Sequence, residues 1–241
     1  MLFRSSMASV AAKTAPGGPI QVFYSPSSQA RLPQVARAEG VYLWDTDGKR
    51  YIDASSGPIV CNLGYGNPAV LAAGAKQMQE VAYASRAFFE NAPNRDLAKL
   101  ITELAGPGFD QAYFVSGGSE AVETAVKMAR QYAVIKGEPE RWKVIAREPS
   151  YHGGTLGAQA LSGDPAARIL FGPMQRTMPT VPAPITYRTP DGVDAETYVR
   201  ECVEALEDRI CREGPKSVLA FIMEPAGSRS EERRVGKECR S

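Results

Sequence analysis

Two periodicities share this chain. In the segment 67–85, Val70, Leu71, Ala75, Met78 and Val81 recur near one face of a helix, with Pro68 in the first turn, where its missing N–H is not needed. Residues 95–105 predict a second helix, stopped by Gly106-Pro107-Gly108. Val122, Ala125, Val126, Ala129 and Ala133 recur at three- and four-residue spacing, predicting a helix that packs one face on a sheet. "AETYVRECVEALEDRICREG" predicts another amphipathic helix. The strand-like runs are shorter. "GVYLWDTDGKRYIDAS" sets two apolar-rich arms around Asp47-Gly48, a strong hairpin signal. "QAYFV" predicts a short buried strand, "WKVIAR" another, and "KSVLAFIME" a central parallel strand buried on both faces. "EPSYHGGTLGAQALSG" predicts a loop opening into a small-residue helix, and the proline-rich segment 171–192 a long surface excursion. Strands alternating with helices predict an α/β fold with a mainly parallel sheet flanked by helices.

Composition narrows the function classes. Lys plus Arg number 28 and Asp plus Glu 27, so no polyanion-seeking surface is expected and no nucleic-acid partner. Cys61, Cys202, Cys211 and Cys239 show neither CxxC spacing nor the density of a disulfide framework, and a reducing cytoplasm is the expected location. No stretch approaches the roughly 20 apolar residues of a membrane span, so a soluble protein is expected. No acidic residue precedes Glu39, while Arg4, Lys13, Arg31 and Arg37 do. That bias is shared with organelle presequences, but the Pro/Gly punctuation points to a loose N-terminal arm over residues 1–28. At the other end, eight of the thirteen residues 229–241 are charged, which is not how a buried strand continues.

Ligands of α/β sheets gather at the C-terminal ends of the strands, and three such ends carry polar groups: Ser116 to Ser119, Tyr151-His152, and Glu224. The first is a candidate phosphate cup. Gly117 and Gly118 allow close backbone approach, the N–H groups of a helix start face outward, and Ser119 adds a hydroxyl. Glycine turns between strand and helix also occur without ligands. The spacing fits neither a Walker loop nor a dinucleotide fingerprint. A serine hydrolase using Ser119 and His152, the only histidine, competes for the same atoms, but the order of nucleophile, acid and histidine disfavours it.

"GVYLWDTDGKRYIDASSG", "NLGYGNPAV", "FVSGGSEAVETAVKMARQY", "PSYHGGTLGAQALSG" and "AFIMEP", in this order, resemble the class III aminotransferases, which use pyridoxal phosphate. The likeness spans residues 29–225 and is greatest to the omega-amino-acid or amine:pyruvate branch. It implies a fold-type I architecture, with residues 29–62 in the N-terminal part of a small domain and 63–228 in a partial cofactor-binding large domain. It also implies Gly118 and Ser119 on the cofactor phosphate and the Tyr151 ring stacked on the pyridine. His152 would shape the pocket, or be a turn histidine satisfied by backbone. Glu224 would orient its neighbours. On the substrate side, Ile59 stands where relatives often place a tryptophan, implying a wider pocket. Phe88 and Phe89 match an aromatic pair near the active site, although adjacent aromatics are commonly core. Tyr65 reads as a structural turn residue.

Transamination also needs a Schiff-base lysine and a carboxylate on the pyridine nitrogen. In the family both follow the "EP" strand. Lys237 lies in the charged tail and does not match that lysine. The expectation is therefore a chain that departs from the family near residue 228, with a tail of foreign origin, inactive by itself, from a homodimeric parent. The parent would move an amino group from an omega-amino acid or amine to a keto acid such as pyruvate, with an aminomutase of the same fold as the alternative. No metal is expected.

Overall fold

The computed structural model describes residues 33–225, so the N-terminal arm, the charged tail and Lys237 lie outside the described residues. Two compact units meet in sequence between Asn94 and Arg95.

The first unit carries an antiparallel meander of β1 (Val35–Glu39), β2 (Tyr42–Asp45) and β3 (Arg50–Ile52). The Asp47-Gly48 hairpin forms as predicted, with Gly48 at φ +80. Asp45 organises it: one carboxylate oxygen accepts from the N–H groups of Asp47 (3.0 Å) and Lys49 (2.8 Å), the other from the Tyr51 hydroxyl (2.7 Å). A buried carboxylate is tolerated there because its oxygens are supplied with donors. Asp53 repeats the device. Its Oδ1 accepts from Ser55 and Ser56 N–H, and its Oδ2 from the Tyr65 hydroxyl at 2.6 Å, closing the loop 53–65. That hydrogen bond is the main cause that pushes the Tyr65 hydroxyl up to about 12. Tyr65 also exchanges two backbone hydrogen bonds with Gly40, the turn role read from sequence. Within the loop lies the single turn α1 (Ser56–Ile59), where Ile59 has φ +62, a left-handed conformation rare for a β-branched residue. The helix α2 (Pro68–Glu80) starts at Asn67, whose side chain accepts from Ala69 and Val70 N–H. Its apolar residues Val70, Leu71 and Met78 remain exposed. The next helix, α3 (Ala92–Ala105), spans the division between the units.

The second unit is built on β4 (Lys143–Glu148), which pairs in parallel with β5 (Thr180–Pro182) on one side and β6 (Val218–Ile222) on the other. Val144, Ile145 and Ala146 are fully buried, because helices cover both faces of a central parallel strand. The helix α4 (Gly118–Ile135) packs against β6 and α5 (Leu156–Ala160), α7 (Ala195–Glu213) packs against β5, and α6 (Pro165–Phe171) lies beside α5.

Three expectations need correction. "QAYFV" is not a strand; it is irregular and partly exposed, with Tyr113 at 55%. A strand requires a partner, and the described sheet ends at β5 and β6 without offering it one. For the same reason β6 is an edge strand and only half-buried, not a central one buried on both faces. The proline-rich excursion, in turn, contains β5, with Val181 and Ala183 buried. Prolines cannot donate to a ladder, yet an edge strand needs donors on one side only.

The N-terminal edge of the sheet is pinned by Lys143. Its Nζ donates to the Glu213 carbonyl (2.8 Å) and contacts the Glu213 carboxylate (2.9 Å) at the end of α7. The Lys143 hydrogen bond, against an opposing effect of burial, holds the Glu213 carboxyl below its ordinary value of 4.5. A carboxyl depressed in the folded state contributes stability that is present above its unfolded value and lost as pH falls through the folded one. Glu213→Gln is expected to lower unfolding free energy by about 1 kcal/mol at pH 7. Urea titrations at decreasing pH should show this difference closing in the acid range; a difference independent of pH would contradict the ion-pair account.

Candidate active site

The C-terminal ends of β4 and β6 lie on the same edge of the sheet because the strands are parallel. From β4 the chain enters the loop 149–155, which carries Tyr151, His152, Gly153 and Gly154; from β6 it runs into Glu224. The N-terminus of α4 joins this edge, since Ser119 Oγ accepts from Gly154 N–H at 2.9 Å. A second tie lies one turn further along α4. Glu123 Oε1 accepts from the Thr155 hydroxyl (2.6 Å) and from Ala158 N–H (3.2 Å), fixing the start of α5.

The start of α4 has the properties of an anion seat. Gly117 is extended and no side chain caps the helix, so the first-turn N–H groups keep their outward-facing donors. A Cβ at Gly117 or Gly118 would meet nothing within 4 Å. Packing therefore leaves open space beside these glycines, room for a ligand to approach the backbone. Ser119 spends a lone pair on Gly154, which leaves its hydroxyl proton available as a donor. Glu120 brings a carboxylate to the same helix end, where its Oε2 accepts from Ser116 N–H (2.9 Å).

Gly153 shows how tightly the loop must approach. With φ +141, it adopts a backbone conformation that other residues rarely take, and a Cβ there would sit 2.6 Å from Ser119 Oγ and 2.8 Å from the Ala158 Cβ. Tyr151 is 45% exposed at the strand end, and its backbone N–H donates to Glu224 Oε2 at 3.2 Å. His152 is buried, 8% exposed, with its backbone N–H donating to Ser162 Oγ (2.8 Å), which donates onward to the Ala158 carbonyl (3.1 Å). Burial chiefly lowers the pKa of the His152 ring, with the Arg147 charge adding to this and Glu224 opposing it. The ring is therefore held neutral at pH 7, and its Nε2 has no hydrogen-bond partner. The backbone N–H of His152 is thus satisfied, whereas its ring Nε2 is not.

The hydrolase reading is corrected as well. Ser119 Oγ is bound to Gly154, the His152 Nε2 makes no hydrogen bond, and no described hydrogen bond joins the two residues. Ile59, Phe88 and Phe89 belong to the first unit. Phe88 and Phe89 are 81% and 67% exposed, so they are not core. Among the described residues no lysine stands at these strand ends. Lys143 opens β4 at the opposite edge, Lys216 precedes β6, and Lys127 and Lys136 lie along and just past α4. No group of three or more potential metal ligands was found among the described residues. The sequence reading missed Arg147, Gly153 and Ser162, which act only through contacts across the fold; the signal available was the paired glycine following Tyr151-His152.

These features define a class of protein with an anion-binding helix end and an aromatic platform at the edge of a parallel sheet. Residues 23–231 match the family described as aminotransferase class-III, and the chain belongs to that family. It is 41% identical over 205 residues to an uncharacterised aminotransferase of Schizosaccharomyces pombe, covering 84% of this chain and 44% of that one. It is 33% identical over 198 residues to a putrescine–pyruvate aminotransferase of Pseudomonas aeruginosa, covering 79% and 42%. The crystal structure of an amine transaminase from an uncultivated Pseudomonas species, in its PLP-bound form, superposes with a TM-score of 0.81 at 31% identity, covering 87% of this chain and 49% of that one. The fold is that of the fold-type I pyridoxal-phosphate enzymes, and the chain spans less than half the length of these relatives. Pyridoxal phosphate is the cofactor of the family. The residues present fit it: an uncapped helix end beside open space suits the phosphate, and a half-exposed tyrosine beside a buried, unsatisfied imidazole suits the ring.

Gly153→Ala tests the cradle. The added methyl group should displace Ser119 Oγ and cost about 1–3 kcal/mol in strain, with a matching loss of pyridoxal phosphate affinity. Thermal melts and cofactor titration of the variant check both; normal affinity would show that the 2.6 Å approach does not position Ser119.

Proposed function

We propose that the protein transfers an amino group from an omega-amino acid or amine to a keto acid such as pyruvate. The observation that carries this reading is the hydrogen bond from Gly154 N–H to Ser119 Oγ, which brings the anion-binding helix end onto the loop holding Tyr151 and His152. Bound pyridoxal phosphate supplies a carbonyl for the amine and a ring that withdraws electrons. Gly118 and Ser119 bind its phosphate, the backbone through N–H donors and Ser119 through its hydroxyl proton. Tyr151 provides a flat apolar face for the ring. Glu224 orients the loop through Tyr151 N–H, and His152, neutral and buried, walls the pocket. The family resemblance alone makes Ile59, Phe88 and Phe89 the substrate-side candidates, an isoleucine being smaller than the tryptophan of many relatives. The relative acting on putrescine and pyruvate and the amine transaminase support this substrate class.

The reaction also needs a lysine to move the proton and an aspartate on the pyridine nitrogen, and both are assigned to residues outside those described. The activity is accordingly that of the full-length protein, as a cytoplasmic homodimer. The test is alanine formation from pyruvate with an amine donor. Full-length protein should form alanine, and Ser119→Ala should raise the cofactor dissociation constant about tenfold, the loss of one hydrogen bond to a charged group. Turnover without any keto acid would overturn transamination in favour of an aminomutase.

A further inference from the structure

Arg147, one residue before the end of β4, makes contacts that none of the roles above accounts for. Its Nη2 donates to the carbonyl oxygen of Glu224 beyond the end of β6, which ties the two strand ends across the ladder. Its own carbonyl accepts from Ser150 Oγ at 2.6 Å, and the same Oγ accepts from Gly163 N–H at 3.0 Å, drawing the loop after β4 back onto the strand. Gly163 has to be glycine for that approach, since a Cβ there would collide with the Arg147 carbonyl and the Glu148 backbone. One guanidinium therefore fixes where Glu224 leaves β6, and one main-chain oxygen fixes where the Tyr151 loop leaves β4. The two meet again in the hydrogen bond from Tyr151 N–H to Glu224 Oε2. A closed circuit results: Arg147, Glu224, Tyr151, Ser150 and back to Arg147.

We propose that Arg147 is a positioning residue for the pyridoxal phosphate site, holding Glu224 so that its carboxylate sets the orientation of the Tyr151 platform. The inference rests on the proposed placement of the cofactor against Tyr151. A cation is suited to the task. It keeps a charge-assisted bond to the Glu224 carbonyl in a partly dry environment, where such bonds are stronger than neutral ones. Burial is the main cause that lowers the pKa of His152; Glu224 opposes it, and the Arg147 charge acts in the same direction as burial. Arg147 Nε is buried with no partner, a desolvation cost that a residue replaceable by an apolar side chain would not carry.

The experiment compares wild type, R147Q, R147K, E224A and R147Q/E224A in the full-length protein. Pyridoxal phosphate dissociation constants are measured by titration, and the visible circular dichroism of the bound cofactor reports how the ring is held. R147Q should weaken binding about tenfold or more and diminish the visible dichroic band. R147K, which keeps a cation able to reach the Glu224 carbonyl, should recover part of both. Because Arg147 acts through Glu224, the loss in R147Q/E224A should fall well short of the product of the single losses. Cofactor-free melting temperatures show whether R147Q folds; should it not, R147K and R147K/E224A complete the same cycle. Unchanged affinity and dichroism in R147Q, or multiplicative losses in the double variant, would overturn the inference while leaving the cofactor reading standing. Wild-type protein that binds no pyridoxal phosphate would overturn both.

Discussion

The second unit depends on the pairing of β4 with a parallel strand on each side. Val144, Ile145 and Ala146 are buried on that strand, and everything chemical in the unit sits just beyond its end. Parallel pairing has a geometric consequence that antiparallel pairing lacks: strand ends of one polarity share one edge, so the loop after β4 and the residue after β6 are neighbours without being close in sequence. Tyr151 and Glu224, 73 residues apart, share a hydrogen bond for this reason.

Around that edge, hydrogen bonds settle which conformations are available. Glu123 binds the start of α5, Ser119 accepts from Gly154, and the absence of a Cβ at Gly157 and at Gly153 allows these two approaches. Among the described residues, the buried side-chain atoms without a partner are the His152 Nε2 and the Arg147 Nε, while the α4 start and the Ser119 hydroxyl keep donors to offer. In a folded protein, buried polar atoms are normally partnered. Their gathering at one place is the physical mark of a site, and pyridoxal phosphate, with an anionic end and a flat polar-edged ring, is the kind of ligand such a set accepts.

Much of this was legible in the sequence. The Asp47-Gly48 hairpin, the helices of residues 67–85 and 95–105, and the strand "WKVIAR" are local features, set by turn chemistry and periodicity. The glycine-rich helix start at Ser119 was legible for the same reason. The errors in secondary structure were all in pairing. "QAYFV" has strand composition but no partner among the described residues; "KSVLAFIME" has the apolar run of a central strand but forms an edge; and the stretch around Pro182 has loop composition but supplies β5. Strand propensity measures how a side chain fits a pleated surface, whereas a strand exists only where another backbone completes its hydrogen bonds.

The sequence by itself determined the alternation of elements, the candidate phosphate cup and, through five ordered motifs, the family. Those features are local, or are read in order along the chain. Only the tertiary structure decided that Ser119 contacts Gly154 rather than His152, that the imidazole is buried with its Nε2 unpartnered, and that Arg147 joins Glu224 to the Tyr151 loop. Each of these is a contact between residues distant in sequence or a consequence of burial, and both are fixed by the parallel ladder that brings the strand ends together.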